Sequence, residues 1–161
     1  MDYKKISLQC QSEVEKELGH KITITRYSSS PWSGQANLWR YIIIQGQKTK
    51  VTLYSMRVPE PKSAISLATY LHELGHHTLL SRNQKKSCLR EFYAEQYSLD
   101  NLKRFGVKKN RKMVRHSNWY MSYSLGQALN RKMKDIPTEM MKYKKYLKSR
   151  TTKFGKRYFA I

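Results

Sequence analysis

Apolar residues recur at every fourth position over Lys5 to Leu18, at Ile6, Cys10, Val14 and Leu18, with Gly19 directly after them. That spacing predicts an amphipathic opening helix with a glycine stop. Lys21 to Tyr27 alternates around Ile22 and Ile24, and Leu38 to Gln45 and Lys48 to Arg57 are β-rich runs joined through Gln45-Gly46-Gln47. These runs predict a small antiparallel three-stranded sheet. Ser28 to Pro31 reads as a loop, and Pro59-Glu60-Pro61 closes the last strand because proline has no N–H for a ladder.

The period then becomes helical. Ile65, Ala68, Leu71 and Leu79 form a stripe over Lys62 to Leu80, with Ser63 as N-cap, and polar Ser81 to Ser87 interrupts it. A third helix is expected from Cys88 to Phe105, ending at Gly106. A fourth is expected from Ser117 to Lys134, with Met121, Leu125, Ala128, Leu129 and Met133 on one face. Pro137 suits the first turn of a final helix. The order of one helix, three strands and then helices only is an α+β arrangement.

Composition sharpens this outline. The chain has 161 residues, 39% of them hydrophobic, so it can bury a core and reads as a single domain. Its two cysteines, Cys10 and Cys88, form no disulfide framework and suit a reducing compartment. Neither a secretory h-region nor an apolar run of about 18 residues is visible, which predicts a soluble, cytoplasmic protein without a membrane partner. The net charge is +21 and uneven, since residues 107–161 hold 16 basic residues against 2 acidic ones. The final third is therefore a strongly basic, helical subdomain.

The chemistry is concentrated in His72-Glu73-Leu74-Gly75-His76, an H-E-x-x-H sequence on the second helix. At about 3.6 residues per turn, His72 and His76 share one face and both imidazoles can reach one Zn²⁺. Glu73 sits beside the water that such a metal would activate, placed as general base for peptide hydrolysis. Gly75, costly inside a helix by about 1 kcal/mol, points to the close approach of another backbone. Uncharged Leu67 to Leu71 before the motif suits a helix threaded through a core. His77 falls off the metal face and His20 follows a helix stop, so both read as structural.

A catalytic zinc site takes a third protein ligand and keeps one position open. A metzincin would carry Gly at 79 and His at 82, where this chain has Leu79 and Arg82, and a SprT-like protease would supply a nearer histidine than His116. Glu91 and Glu95, four apart on the next helix, are the acidic candidates, with Cys88 as an outside alternative. His116, Tyr120 and Tyr123 are candidate donors to a developing oxyanion.

H-E-x-x-H followed on the next helix by Glu91-Phe92-Tyr93-Ala94-Glu95 resembles the gluzincins, and most closely the ImmA/IrrE-type metallopeptidases. The resemblance covers about residues 62–105 and implies a zincin-like fold. By position it implies Glu91 as third zinc ligand and Glu95 as the acceptor that orients a ligand histidine. The family usually has Asp or Asn where this chain has Glu95, whose longer side chain could compete with Glu91 for the metal. The resemblance further implies an intracellular metalloprotease acting on a protein or peptide, such as a repressor-like regulator or a DNA-bound protein. A deformylase also uses H-E-x-x-H, but its upstream cysteine motif is absent.

In the basic third, Lys108, Lys109, Arg111, Lys112 and Arg115 form one cluster, and Arg131, Lys132 and Lys134 a second. A third cluster runs over Lys142, Lys144, Lys145, Lys148 and Arg150, extended by Lys153, Lys156 and Arg157. Interleaved Trp119, Tyr120, Tyr143, Tyr146, Phe154, Tyr158 and Phe159 can stack on bases or pack the fold. Nucleic-acid contact through Lys108 to Arg115, Arg131 and Lys132 is one reading, and solubility or an acidic protein partner the other. The corresponding alternative for the whole chain is a basic binding module that keeps a zincin scaffold and a non-catalytic metal site.

Overall fold

The computed structural model describes residues 1–27, 30–151 and 157–160. Helix α1 (Tyr3–Leu18) begins where the Asp2 side chain accepts from the Lys5 N–H at 2.9 Å, and it ends at Gly19, which takes φ +68. A left-handed residue satisfies the last turn without the clash that a Cβ would bring. Strands β1 (Thr23–Tyr27), β2 (Gln35–Ile44) and β3 (Gln47–Pro59) follow.

The sheet is mixed, with order β1-β3-β2, and this corrects the antiparallel expectation. β2 and β3 form an antiparallel hairpin across Gln45 and Gly46, both at positive φ, the turn whose twist matches its strands. β1 instead pairs parallel with β3, Thr23 facing Ser55 and Tyr27 facing Pro59. Alternation reports which face of a strand is buried, and says nothing of its neighbour or direction.

Helix α2 (Ala64–Gly75) starts with a reciprocal cap in which Ser63 and Ser66 satisfy each other's backbone N–H. It stops one turn before the expected Leu80. The His77 N–H turns back to the Leu74 carbonyl, Thr78 caps the short helix α3 (Leu79–Arg82), and the chain changes direction. Helix α4 (Ser87–Arg104) then ends ahead of Gly106 at φ +66. Helix α5 (Arg111–Asn130) begins two turns earlier than its apolar stripe predicts, because Asn110 caps it by accepting from the Met113 N–H at 2.9 Å.

The expected final helix is a 3₁₀ segment, Thr138–Tyr146, preceded by Pro137. It leads to an antiparallel pair, β4 (Lys148–Thr151) and β5 (Arg157–Ala160), so the basic third is not purely helical. Lys153, Phe154 and Lys156 lie outside the described residues. Among the described residues no helix is long and apolar enough to cross a membrane.

The chain divides into two compact units. The first comprises Met1–Asn83 and Tyr93–Lys108; there α2 packs against α1 and β3, and Val14, Val58, Leu67, Tyr70, Leu71 and Leu74 are buried. The second comprises Gln84–Phe92 and Lys109–Ile161 and has its own apolar cluster, Cys88, Met121, Leu125, Ala128, Met140 and Tyr143. Cys88 is thus a packed small side chain.

Glu15 ties α1 to the segment leading into β1 from a buried position. Its carboxylate accepts from Gln11 Nε2 at 2.7 Å, Lys21 Nζ at 2.8 Å and the Ile22 N–H at 2.9 Å. Burial pushes the carboxyl up, but the bonds from Lys21, Gln11 and Ile22 outweigh it and hold the pKa below the usual carboxylate range. A lowered folded pKa stabilises the fold above the unfolded value of about 4.3, and that stabilisation is lost as pH falls through the folded value. Glu15→Gln is expected to cost about 1–3 kcal/mol near neutral pH. In urea unfolding the deficit should shrink in acid, and a deficit that is constant with pH would contradict this account.

Candidate metal centre

The H-E-x-x-H helix is held at both ends. Gly75 lies against α4 so tightly that a Cβ there would stand 2.7 Å from the Ala94 carbonyl oxygen and 2.8 Å from the Ala94 Cα. The close backbone approach expected at Gly75 is therefore present, at the last residue of α2, and its neighbour is the helix that carries the acidic pair. Behind the motif, His77 Nε2 bonds the Ser55 carbonyl of β3 at 3.1 Å. Arg82 donates to the Leu53 carbonyl at 3.1 Å and lies over the Tyr54 ring at 4.5 Å. Burial, and then the nearby Arg82 guanidinium, pushes the His77 imidazole down to about 4 and keeps it neutral. His20 stacks on Tyr54 at 4.7 Å. Both histidines are thus engaged with residues of β3.

His72, Glu73 and His76 are buried on consecutive turns, with the two imidazoles edge to face at 5.0 Å. Nδ1 of His72 lies 3.0 Å from Oε2 of Glu95. With Nδ1–H as donor, that bond presents the Nε2 lone pair away from Glu95, and both His72 Nε2 and His76 Nδ1 are buried. Glu95 therefore engages the ring of a candidate ligand through the helix that Gly75 brings close.

Glu91 and Glu95 ride one turn apart on α4. One ligand atom each from His72, His76 and Glu91 fall within 4.8 Å of one another. Two imidazole nitrogens and one carboxylate oxygen are a donor set suited to Zn²⁺. The residues present fit that ion.

Two contacts were not legible in the motif. Gly34, just before β2, leaves room for the general-base candidate, since a Cβ there would stand 2.5 Å from Glu73 Cγ and 2.6 Å from its Oε1. Tyr120 donates its hydroxyl proton to Glu91 Oε2 at 2.8 Å. The hydroxyl considered for an oxyanion thus bonds a carboxylate of the candidate ligand group. His116 stands one turn earlier on α5, its ring parallel to Tyr120 at 6.5 Å, and Tyr123 is exposed and stacked on Trp119. Lys108, Lys109, Arg111, Lys112, Arg115, Arg131 and Lys132 are all exposed.

The chain matches no protein family model, no curated protein and no solved structure.

Proposed function

We propose that this protein is a zinc-dependent peptidase of the gluzincin type, resembling the ImmA/IrrE metallopeptidases. The grouping of His72, His76 and Glu91 around one point, with Glu95 on the His72 ring, is the observation that carries the reading. When bound, Zn²⁺ would lower the pKa of a water toward about 7 and polarise the scissile carbonyl. Glu73 would serve as the general base, accepting a proton from the attacking water and passing it to the leaving amine. Glu95 orients the His72 ring through Nδ1, and the Tyr120 hydroxyl orients the Glu91 carboxylate through Oε2. The substrate is a protein or peptide, with a regulatory, repressor-like protein as the class that the resemblance favours.

Elemental analysis of purified protein tests the site. The natural sequence is expected to hold one zinc per chain, and His76→Ala and Glu91→Ala each to lose it, because three protein ligands leave no redundancy. Zinc at about 100 times its dissociation constant should stabilise the natural chain by about 2.7 kcal/mol and leave both variants unmoved. Absence of zinc uptake by the natural sequence, or full occupancy in His76→Ala, would remove the basis of the proposal.

A further inference from the structure

The second unit holds a groove of about 520 Å³, in the range of about 300–1,000 Å³ typical of ligand sites. Lys109, Arg111 and Arg115 supply its charge, and Trp119 and Tyr146 its rings. Arg111, Arg115 and Trp119 follow at four-residue spacing and so share one face of α5. Among the described residues lining the groove none is acidic.

Three features give the groove a direction. Trp119 is 49% exposed and Tyr146 40%, large aromatic faces left in water. Tyr146 is held in place, its hydroxyl accepting from Asn118 Nδ2 at 3.1 Å with Lys145 Nζ 5.1 Å from its ring centroid. Trp119 is backed by Tyr123, parallel at 6.0 Å. Rigid exposed rings beside guanidinium groups provide base stacking together with phosphate pairing. An acidic peptide would satisfy the cations but has no flat apolar faces for the rings, and a duplex keeps its base faces stacked inside. The surrounding charge, 16 basic residues against 2 acidic over residues 107–161, complements a polyanion.

We propose that this groove binds single-stranded nucleic acid, with bases stacking on Trp119 and Tyr146 and phosphates paired to Lys109, Arg111 and Arg115. The proposal is independent of the metal centre.

Binding of the full chain to a labelled oligothymidylate of about 12 nucleotides tests it. Trp119→Ala is expected to weaken binding about tenfold and abolish the accompanying tryptophan quench, while Trp119→Phe retains most of the affinity. Joint substitution Arg111→Ala and Arg115→Ala should lower the slope of log affinity against log salt by about 1.4. Oligouridylate should compete as well as oligothymidylate, since the contacts engage bases and phosphates. Binding should persist in zinc-free His76→Ala. Undiminished affinity in a folded Trp119→Ala, equal competition by duplex DNA or polyglutamate, or a strict demand for one sugar would overturn the assignment.

Discussion

Glu73→Gln is expected to lower peptide hydrolysis by about 10²–10⁴-fold while zinc content stays that of the natural sequence. The change preserves the volume of a buried side chain and removes only its capacity to take a proton, and the candidate ligand atoms belong to His72, His76 and Glu91. A denatured protein or a quenched peptide library, with zinc supplied, provides the assay. Gly34→Ala is the matched perturbation. Its Cβ would meet the Glu73 side chain from Cγ outward and not the backbone, so the carboxylate must move. A displacement of about 1 Å can cost roughly 10²-fold in rate. Hydrolysis that survives Glu73→Gln would refute the general-base role of that carboxylate, and a natural chain that binds zinc without hydrolysing any peptide would favour a non-catalytic metal site.

Gly75→Ala is expected to destabilise the protein by about 1–3 kcal/mol, opposite in sign to helix propensity alone. In an isolated helix the same exchange would stabilise by about 1 kcal/mol. Here the new methyl would meet the Ala94 backbone, which cannot rotate aside as a side chain would, so α2 and α4 must separate. Separation lengthens the 3.0 Å contact of Glu95 with His72, and loss of such a ligand-orienting partner commonly costs about 10–100-fold in metal affinity. Urea unfolding of the metal-free protein and zinc titration measure the two effects separately. A stabilised variant with unchanged zinc affinity would show that α2 and α4 are not in the contact described.

The motif and its supports differ in how they are written along the chain. His72 and His76 are four apart on one helix, so their shared face follows from local geometry, and Gly75 betrays a close neighbour because glycine is otherwise unfavourable there. Glu91 and Glu95 likewise share a face of α4. Gly34 and Tyr120 left no comparable mark, since a loop glycine or a helix tyrosine is ordinary by itself. Each acquires meaning through a residue far away in sequence, Glu73 or Glu91.

The opening helix, the Ser63 cap, the stop before Gly106 and the α+β order were determined locally, because caps and periodicity act within one or two turns. The parallel pairing of β1 with β3, the early end of α2, the start of α5 at Asn110 and the C-terminal β4-β5 pair were decided by the tertiary structure. Strand direction and helix length depend on what each element packs against, and an alternating or four-residue stripe carries the same signal whichever partner lies beneath it.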